Sequence, residues 1–155
     1  MITNDVLRSL RYLLETDDTG LASIIALGGG TTTRPEITSF LLREDEPGYL
    51  VCPDPLLAQF LDGLIIHRRG REENAPPRAP EKLITNNTVL KKLRVAFELK
   101  EDDLIGLMAA SGFQVSKPEL SALFRNPAHK NFRAAGDQFL RNFLKSLTTR
   151  VRGSA

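Results

Sequence analysis

The chain contains one cysteine, Cys52, and no long apolar run. A single cysteine excludes an internal disulfide, which is typical of proteins from a reducing compartment. The first residues, MITNDVLRSL, do not contain the apolar stretch of a signal peptide. Nowhere does the sequence approach the roughly 20 consecutive apolar residues that a transmembrane helix needs. We therefore expect a cytoplasmic protein that has no membrane partner.

Residues that commonly carry catalytic or metal chemistry are also scarce. His67 and His129 are the only histidines, and no Cys/His cluster has the spacing of a zinc site. The glycine run at 28–30 does not follow a strand pattern and does not lead into the Gly-Lys-Ser/Thr of a phosphate-binding loop. A nucleophile at Cys52 with His129 as its base has no support in the surrounding sequence. We expect no metal, no cofactor and no enzymatic activity.

The net charge of +2 conceals an uneven distribution along the chain. Residues 1–70 hold 6 Lys or Arg and 10 Asp or Glu, whereas residues 87–155 hold 12 and 6. One interpretation is that the basic part binds nucleic acid or another polyanion. The other is that the acidic part packs on the basic part, within one chain or between the chains of a homo-oligomer.

An internal duplication organises the chain. When the sequence is shifted by 83 residues, about a quarter of residues 4–70 meet an identical residue, without a gap. The matched pairs include Asn4 with Asn87, Arg11 with Arg94, Pro35 with Pro118, Phe60 with Phe143 and Gly70 with Gly153. A gapless match over a whole unit indicates two copies of one fold. Below, the twin of a residue is the residue 83 positions away.

Each copy has the apolar periodicity of helices in four segments, and only Tyr49–Cys52 looks extended. Capping boxes open the third helix of each copy, at Thr33–Glu36 and Ser116–Glu119. Asn4 and Asn87 are predicted to be the N-caps of the first helices. We expect an all-α fold of two tandem homologous units, about four helices each, packed with pseudo-two-fold symmetry.

A proline-rich segment separates the two copies. Residues 71–86 include three prolines, which disfavour helix and stiffen the chain. The predicted organisation is an acidic repeat at 1–70, a linker at 71–86 and a basic repeat at 87–155. Leu83 and Ile84, at the end of the linker, are expected to pack against the protein.

Four runs of the sequence resemble the YehS-like family of small bacterial proteins, which is built of a tandem domain of unknown function. These runs are NDVLRSLRYLL, NNTVLKKLRVAFELK, VSKPELSALFR and HKNFRAAGDQFLRNFL. The resemblance covers nearly the whole chain and implies a cytosolic bacterial protein of two helical units. It implies no activity and no site residue.

Two pairs that recur in both copies are interpreted as structural. Arg11 and Glu15, and their twins Arg94 and Glu98, are four residues apart on the first helix of each copy. Side chains at this spacing face each other along a helix and form weak ion pairs. A duplicated functional site is the alternative.

The candidate contacts for an anion or nucleic acid lie in the second copy, because it is basic and because it differs there from the first. They are Lys117, Arg125, His129, Lys130, Arg133 and Arg141. Asn126-Pro127 has the pattern of an N-cap and a first helical residue, so the amides of a new helix could assist the cations. Residues 102–125 also have the outline of a helix-turn-helix, although the turn is longer than in DNA-binding forms.

The same place in the first copy holds an acidic turn at residues 43–48, REDEPG. Its three adjacent acids lack the alternating spacing of a calcium loop, so we interpret it as a solvated loop. Three functions remain open. The favoured one is a non-catalytic helical adaptor that binds an unidentified protein partner. The others are a nucleic-acid-associated module and a small-molecule enzyme or sensor.

Overall fold

The computed structural model describes residues 1–70 and 79–153, which divide into unit 1 (Met1–Ile84) and unit 2 (Thr85–Ala155). In unit 1 the helices are α1 Thr3–Leu14, α2 Asp18–Leu27, α3 Arg34–Leu41 and α4 Asp54–Arg69. In unit 2 they are α5 Asn86–Ala96, α6 Glu101–Ala110, α7 Lys117–Leu123 and α8 Asp137–Arg152. Every helix of unit 2 begins 83 residues after its counterpart. The prediction of an all-α fold with four helices per unit is confirmed, and the described ranges contain no strand, not even at Tyr49–Cys52.

The backbone turns at the same places in both units. Glu15 and Glu98 both follow the first helix with a left-handed φ of 52°, and Gly29 and Gly112 both follow the second helix with a φ of 89°. Glycine adopts such a φ at little cost. The predicted capping boxes of α3 and α7 are present, because the side chains of Thr33 and Ser116 accept from the third helical N–H. The duplicated sequence therefore specifies one backbone twice.

The prediction that Asn4 and Asn87 cap the first helices is wrong. The N-caps are Ile2 and Thr85, so both asparagines lie inside the helix. Asn4 is fully buried: its amide nitrogen donates to the carbonyls of Phe40 and Leu50, at 3.0 and 2.8 Å, and its side-chain oxygen accepts from the Cys52 N–H at 3.0 Å. Its contacts join α1 to the end of α3 and to the segment before α4.

Asn87 makes the same three bonds in unit 2. Its amide nitrogen donates to the carbonyls of Leu123 and Arg133, at 2.9 and 2.8 Å, and its oxygen accepts from the Ala135 N–H at 2.9 Å. All three partners are the twins of those in unit 1. A buried amide that satisfies three backbone groups in irregular chain explains the recurrence of asparagine better than capping does.

Apolar side chains from all four helices form the core of each unit. Leu7, Leu10 and Phe60 are at most 1% exposed in unit 1, and their twins Leu90, Leu93 and Phe143 are equally buried in unit 2. Burial of side chains of this size provides most of the favourable free energy of folding. Among the helices of the described residues, none combines the length and the apolar character that crossing a bilayer requires.

The two units differ most in how the second helix packs on the fourth. In unit 1, α2 and α4 form the most extensive helix contact, and a Cβ added at Gly63 would overlap the carbonyl oxygen of Ile24. A Cβ added at Gly28 would likewise overlap the carbonyl oxygen of Gln59. The twins of these glycines are Ser111 and Ser146, and the contact between α6 and α8 is much smaller. Two glycines thus allow a backbone-to-backbone contact in unit 1 that the serines of unit 2 do not.

Most of the predicted linker, residues 71–78, lies outside the described residues. Its last residues behave differently from one another. The Ile84 N–H donates to the Asp54 carboxylate at 2.8 Å, and Ile84 is half-buried, whereas Leu83 is 78% exposed. The expected packing of both residues is therefore confirmed for Ile84 alone.

Candidate functional site

The basic segment of unit 2 is a chain of turns and not the start of a helix. The side-chain oxygen of Asn126 accepts from the Ala128 N–H at 2.9 Å, and the His129 N–H donates to the Asn126 carbonyl at 2.8 Å. The imidazole Nδ1 of His129 accepts from the Asn131 N–H at 3.0 Å. The prediction of a new helix at Asn126-Pro127 is wrong, because the asparagine closes a turn with its own side chain. Helical amides are therefore not available to an anion there.

Four of the six predicted contact residues are cations with exposed side chains: Lys117, Lys130, Arg133 and Arg141. His129 is also exposed, and Arg125 is half-buried just after the end of α7. Arg133 is paired with an acid, because its guanidinium lies 3.5 Å from the Glu119 carboxylate. The pKa of Glu119 lies below its usual value, chiefly because the Ser116 hydroxyl donates to it and also because of the Arg133 charge. Arg133 is therefore exposed to solvent and also paired with Glu119 at the start of α7.

The region with the helix-turn-helix pattern has a long connection and a short second helix in the structure. α6 ends at Ala110 and α7 begins at Lys117, so six residues separate them, and α7 is only seven residues long. The connection is anchored to α8 by Phe113, whose ring meets that of Phe139 edge-on at 6.2 Å. These are the features of a core-packed helical hairpin, since a DNA-reading second helix must be long enough to lie in the major groove.

Arg11 and Arg94 contact groups other than Glu15 and Glu98, which lie beyond the ends of α1 and α5. Arg11 approaches the Asp18 carboxylate at 3.9 Å. Arg94 donates to the Leu99 carbonyl at 3.2 Å and stacks over the Phe124 ring at 4.7 Å. Each arginine therefore links the end of the first helix to neighbouring chain, which is a scaffold role.

Two other candidates lack the chemistry first considered for them. In the acidic turn, the Arg43 backbone N–H and guanidinium both donate to Glu46, at 2.8 and 3.3 Å, and the backbone bond is the main cause of a lowered Glu46 pKa. Within residues 1–70 and 79–153, no three potential metal ligands cluster.

Burial, reinforced by the charge of Asp54, raises the pKa of the Cys52 thiol to about 12. At neutral pH this thiol is protonated and is not an activated nucleophile.

The separation of α6 and α8 leaves an open groove of about 540 Å³ in unit 2. We call it the α6–α8 groove. Its walls combine small and apolar residues of α6 with polar and cationic residues of α8. They are Gly106, Leu107, Ala110, Ser111, Asn142, Lys145, Ser146, Thr149 and Arg150. Arg150 lies 3.2 Å from the Asp103 carboxylate, whose pKa is lowered first by the Lys100 N–H and then by this arginine.

Unit 1 carries an exposed apolar patch, formed by Ile2, Leu50 and Val51. These side chains are 46%, 50% and 63% exposed, respectively. They are held near one another because Thr3 donates to the Cys52 carbonyl at 2.6 Å and Asn4 donates to that of Leu50. The twins of the three are Thr85, Arg133 and Ala134, none of which is a large apolar residue.

Sequence reasoning missed both the groove and the patch. The signal was available in the aligned copies, where Gly28 and Gly63 face two serines and where Leu50 faces Arg133. The alignment does not show where these residues lie in space. Only the folded structure shows that both glycines lie at the contact of α2 with α4 and that Leu50 is exposed.

Comparison with known proteins identifies the family of this chain. A model described as a protein of unknown function (DUF1456) matches twice, over residues 3–70 and 86–153. The uncharacterized protein YehS of Escherichia coli (strain K12) is 50% identical over 150 residues, which cover 97% of this chain and 96% of YehS. No solved structure matches. The family resemblance seen in the sequence is confirmed, and the chain belongs to the DUF1456 family, with two tandem copies of its domain.

Proposed function

We propose that the protein is a cytoplasmic, non-catalytic interaction module that binds a protein partner through the apolar patch of unit 1. The observation that carries this proposal is the patch itself. Scattered apolar side chains are ordinary on a protein surface, whereas adjacent large ones mark contact sites. The backbone on both sides of Val51 is bonded to Asn4, so a partner would meet a preorganised surface.

The comparison between units supports a binding role for the patch. Unit 2 builds the same backbone with Arg133 and Ala134 in place of Leu50 and Val51. The fold therefore does not require apolar residues at these positions. Exposed apolar area that the scaffold does not need is better explained by a partner that covers it.

Exchanging the patch residues for their twins tests the proposal. We expect the double variant Leu50→Arg/Val51→Ala to remain folded, because unit 2 shows that this backbone accepts both residues. Affinity purification of the tagged chain, followed by quantitative mass spectrometry, should show partner proteins that fall about tenfold with the variant, which corresponds to about 1.4 kcal/mol of binding free energy.

The matched control adds Arg133→Leu/Ala134→Val to that variant. This moves the apolar pair to unit 2 and should not restore the lost partners. Equal recovery of every protein by wild type and the Leu50→Arg/Val51→Ala variant would refute the proposal. A second copy of the chain as the partner would be recognised by light scattering, as a mass that falls to 17.2 kDa in the variant.

A second candidate function is binding of nucleic acid or another polyanion by unit 2. It is favoured by the excess of cations in residues 87–155 and by the exposure of Lys117, Lys130 and Arg141. Phosphate contacts would make such binding strongly dependent on salt, because each one releases counterions.

Charge reversal at Lys130 and Arg133 tests this candidate. If the candidate is correct, Lys130→Glu/Arg133→Glu should weaken binding to heparin and duplex DNA about tenfold at low salt and flatten the salt dependence. Arg8→Glu/Arg43→Glu in unit 1 makes the same change in net charge and should have little effect. Retention of the wild type that does not vary between 50 and 300 mM salt, roughly the range over which phosphate contacts are screened, would contradict this function.

A further inference from the structure

We propose that the α6–α8 groove of unit 2 binds a small molecule that bears a phosphate group. This inference goes beyond the proposed partner binding, because it concerns a different unit and a different class of ligand. It rests on the shape of the groove, on the charges that line it and on the comparison with the closed helix pair of unit 1.

The groove has the size of a small-molecule site. Its volume of about 540 Å³ falls within the roughly 300–1,000 Å³ of typical ligand clefts. Gly106 lies on its wall, and a Cβ added there would meet nothing within 4 Å. The open space therefore begins directly at the backbone of α6, in a helix interior where glycine is otherwise unfavourable.

The polar lining fits an anion that also carries hydroxyl groups. Among the described residues, none forms an ion pair or hydrogen bond with the Lys145 ammonium. Arg150 uses one nitrogen on Asp103, which leaves other guanidinium donors for a ligand. Two cations against one carboxylate give the groove a local excess of positive charge. Hydroxyls and an amide complete the wall, from Ser111, Ser146, Thr149 and Asn142.

The twin positions in unit 1 have neither the space nor the charge. Lys145 replaces Asp62, Arg150 replaces His67 and Thr149 replaces Ile66. In unit 1 the corresponding helices touch through Gly63, so no groove can form between them. The opening of the helix pair in unit 2 therefore coincides with the replacement of Asp62 and His67 by the cations Lys145 and Arg150. A difference in packing alone would not require the charges to reverse.

Phosphate is the group that best matches these donors. Lysine binds phosphate as a point charge, and arginine donates to two of its oxygens at once. A phosphate could come from a small metabolite or from a nucleic-acid backbone. The limited size of the groove and its hydroxyl side chains favour the small molecule.

The test is a titration of the ¹⁵N-labelled full chain, followed by amide chemical shifts, with glycerol 3-phosphate, inorganic phosphate, a single-stranded oligonucleotide and glycerol as probes. We expect glycerol 3-phosphate to shift the amides of Gly106, Ser111, Ser146 and Thr149 saturably, and glycerol to shift none of them. Stronger binding of the oligonucleotide than of glycerol 3-phosphate at these amides would overturn the small-molecule assignment.

Two variants connect the shifts to the groove. Gly106→Leu should narrow the groove and weaken binding, and it should fold, since its Cβ meets nothing within 4 Å and the rest of the side chain points into the open groove. Lys145→Gln should weaken binding about tenfold, whereas the control Lys130→Gln, outside the groove, should not. Shifts that are unsaturated, spread over all exposed cations or unchanged in Gly106→Leu would overturn the proposal. Leu50→Arg/Val51→Ala should bind the probe normally, so failure here and failure of partner binding are distinguishable.

Discussion

The Gly63→Ala variant is expected to lose about 2 kcal/mol of unfolding free energy in unit 1. The added Cβ would overlap the Ile24 carbonyl oxygen and lie 2.8 Å from its carbon and 3.0 Å from the Gly28 nitrogen. Backbone atoms cannot swing aside as a side chain can, so α2 and α4 must separate. Overpacking of this kind costs about 1–3 kcal/mol or more. The gain of about 1 kcal/mol from replacing a helical glycine offsets only part of it.

Urea denaturation can report this loss for unit 1 alone. The two tyrosines of the chain, Tyr12 and Tyr49, both lie in unit 1, and there is no tryptophan. Tyrosine fluorescence therefore follows unit 1, whereas circular dichroism follows the helices of both units. We expect the fluorescence transition of Gly63→Ala to move to lower urea.

Unit 2 provides two controls, one at the twin position and one that makes the same glycine-to-alanine change elsewhere. Ser146→Ala, at the twin position, should leave stability within about 0.5 kcal/mol of wild type. Gly106→Ala adds a methyl group where nothing lies within 4 Å and should stabilise unit 2 by up to about 1 kcal/mol. A Gly63→Ala variant as stable as wild type would contradict the close contact of α2 and α4.

Removal of either buried asparagine is the second large effect that we expect. Asn4→Ala and Asn87→Ala each leave two backbone carbonyls and one N–H without their partner in a buried or half-buried site. An unsatisfied buried polar group costs about 1–3 kcal/mol, and water can reach some of these groups. We therefore expect a loss of about 3 kcal/mol from each variant.

The two asparagine variants should differ in where the loss is seen. Asn4→Ala should shift the tyrosine transition, whereas Asn87→Ala should act on the part of the circular dichroism signal that comes from unit 2. Replacing either residue with aspartate should also destabilise, because a carboxylate cannot donate to the two carbonyls. Asn131→Ala, at an exposed position, is the control and should change stability by less than about 0.5 kcal/mol.

Helix number, helix type and duplication could be predicted from the sequence because they depend on local patterns. Apolar residues at helical spacing predicted the core, and the capping boxes at Thr33 and Ser116 predicted where α3 and α7 begin. The role of Asn4 could not be predicted in this way. Its three bonds reach residues 36 to 48 positions away, whereas a capping residue is identified from its nearest neighbours alone.

The candidate site was only partly predictable for the same reason. Composition located the excess of cations in unit 2, and four of the six predicted contact residues are exposed cations. Asn126-Pro127 has the sequence of a helix start, yet the asparagine side chain closes a turn there instead. The α6–α8 groove depends on the distance between two helices. The replacement of Gly63 by its twin Ser146 points to that distance only when Gly63 is known to lie at the contact of α2 with α4.

The two units share one scaffold and differ in parts of their surfaces. The asparagine bonds, the capping boxes and the left-handed turns at Glu15 and Glu98 are the same in both units. The apolar patch is found in unit 1, and the basic groove is found in unit 2. Function is therefore proposed at positions where twins differ, since identical twins are accounted for by the fold.

Nuclear Overhauser measurements on the labelled full chain test this separation most directly. The Gly28 nitrogen lies 3.0 Å from the place where a Cβ of Gly63 would stand. We therefore predict a strong cross-peak between the Gly28 amide proton and the Gly63 α-protons, and none between the Ser111 amide proton and the Ser146 α-proton. Cross-peaks of equal strength in both units, or a missing cross-peak in unit 1, would contradict a closed helix pair in unit 1 and an open one in unit 2.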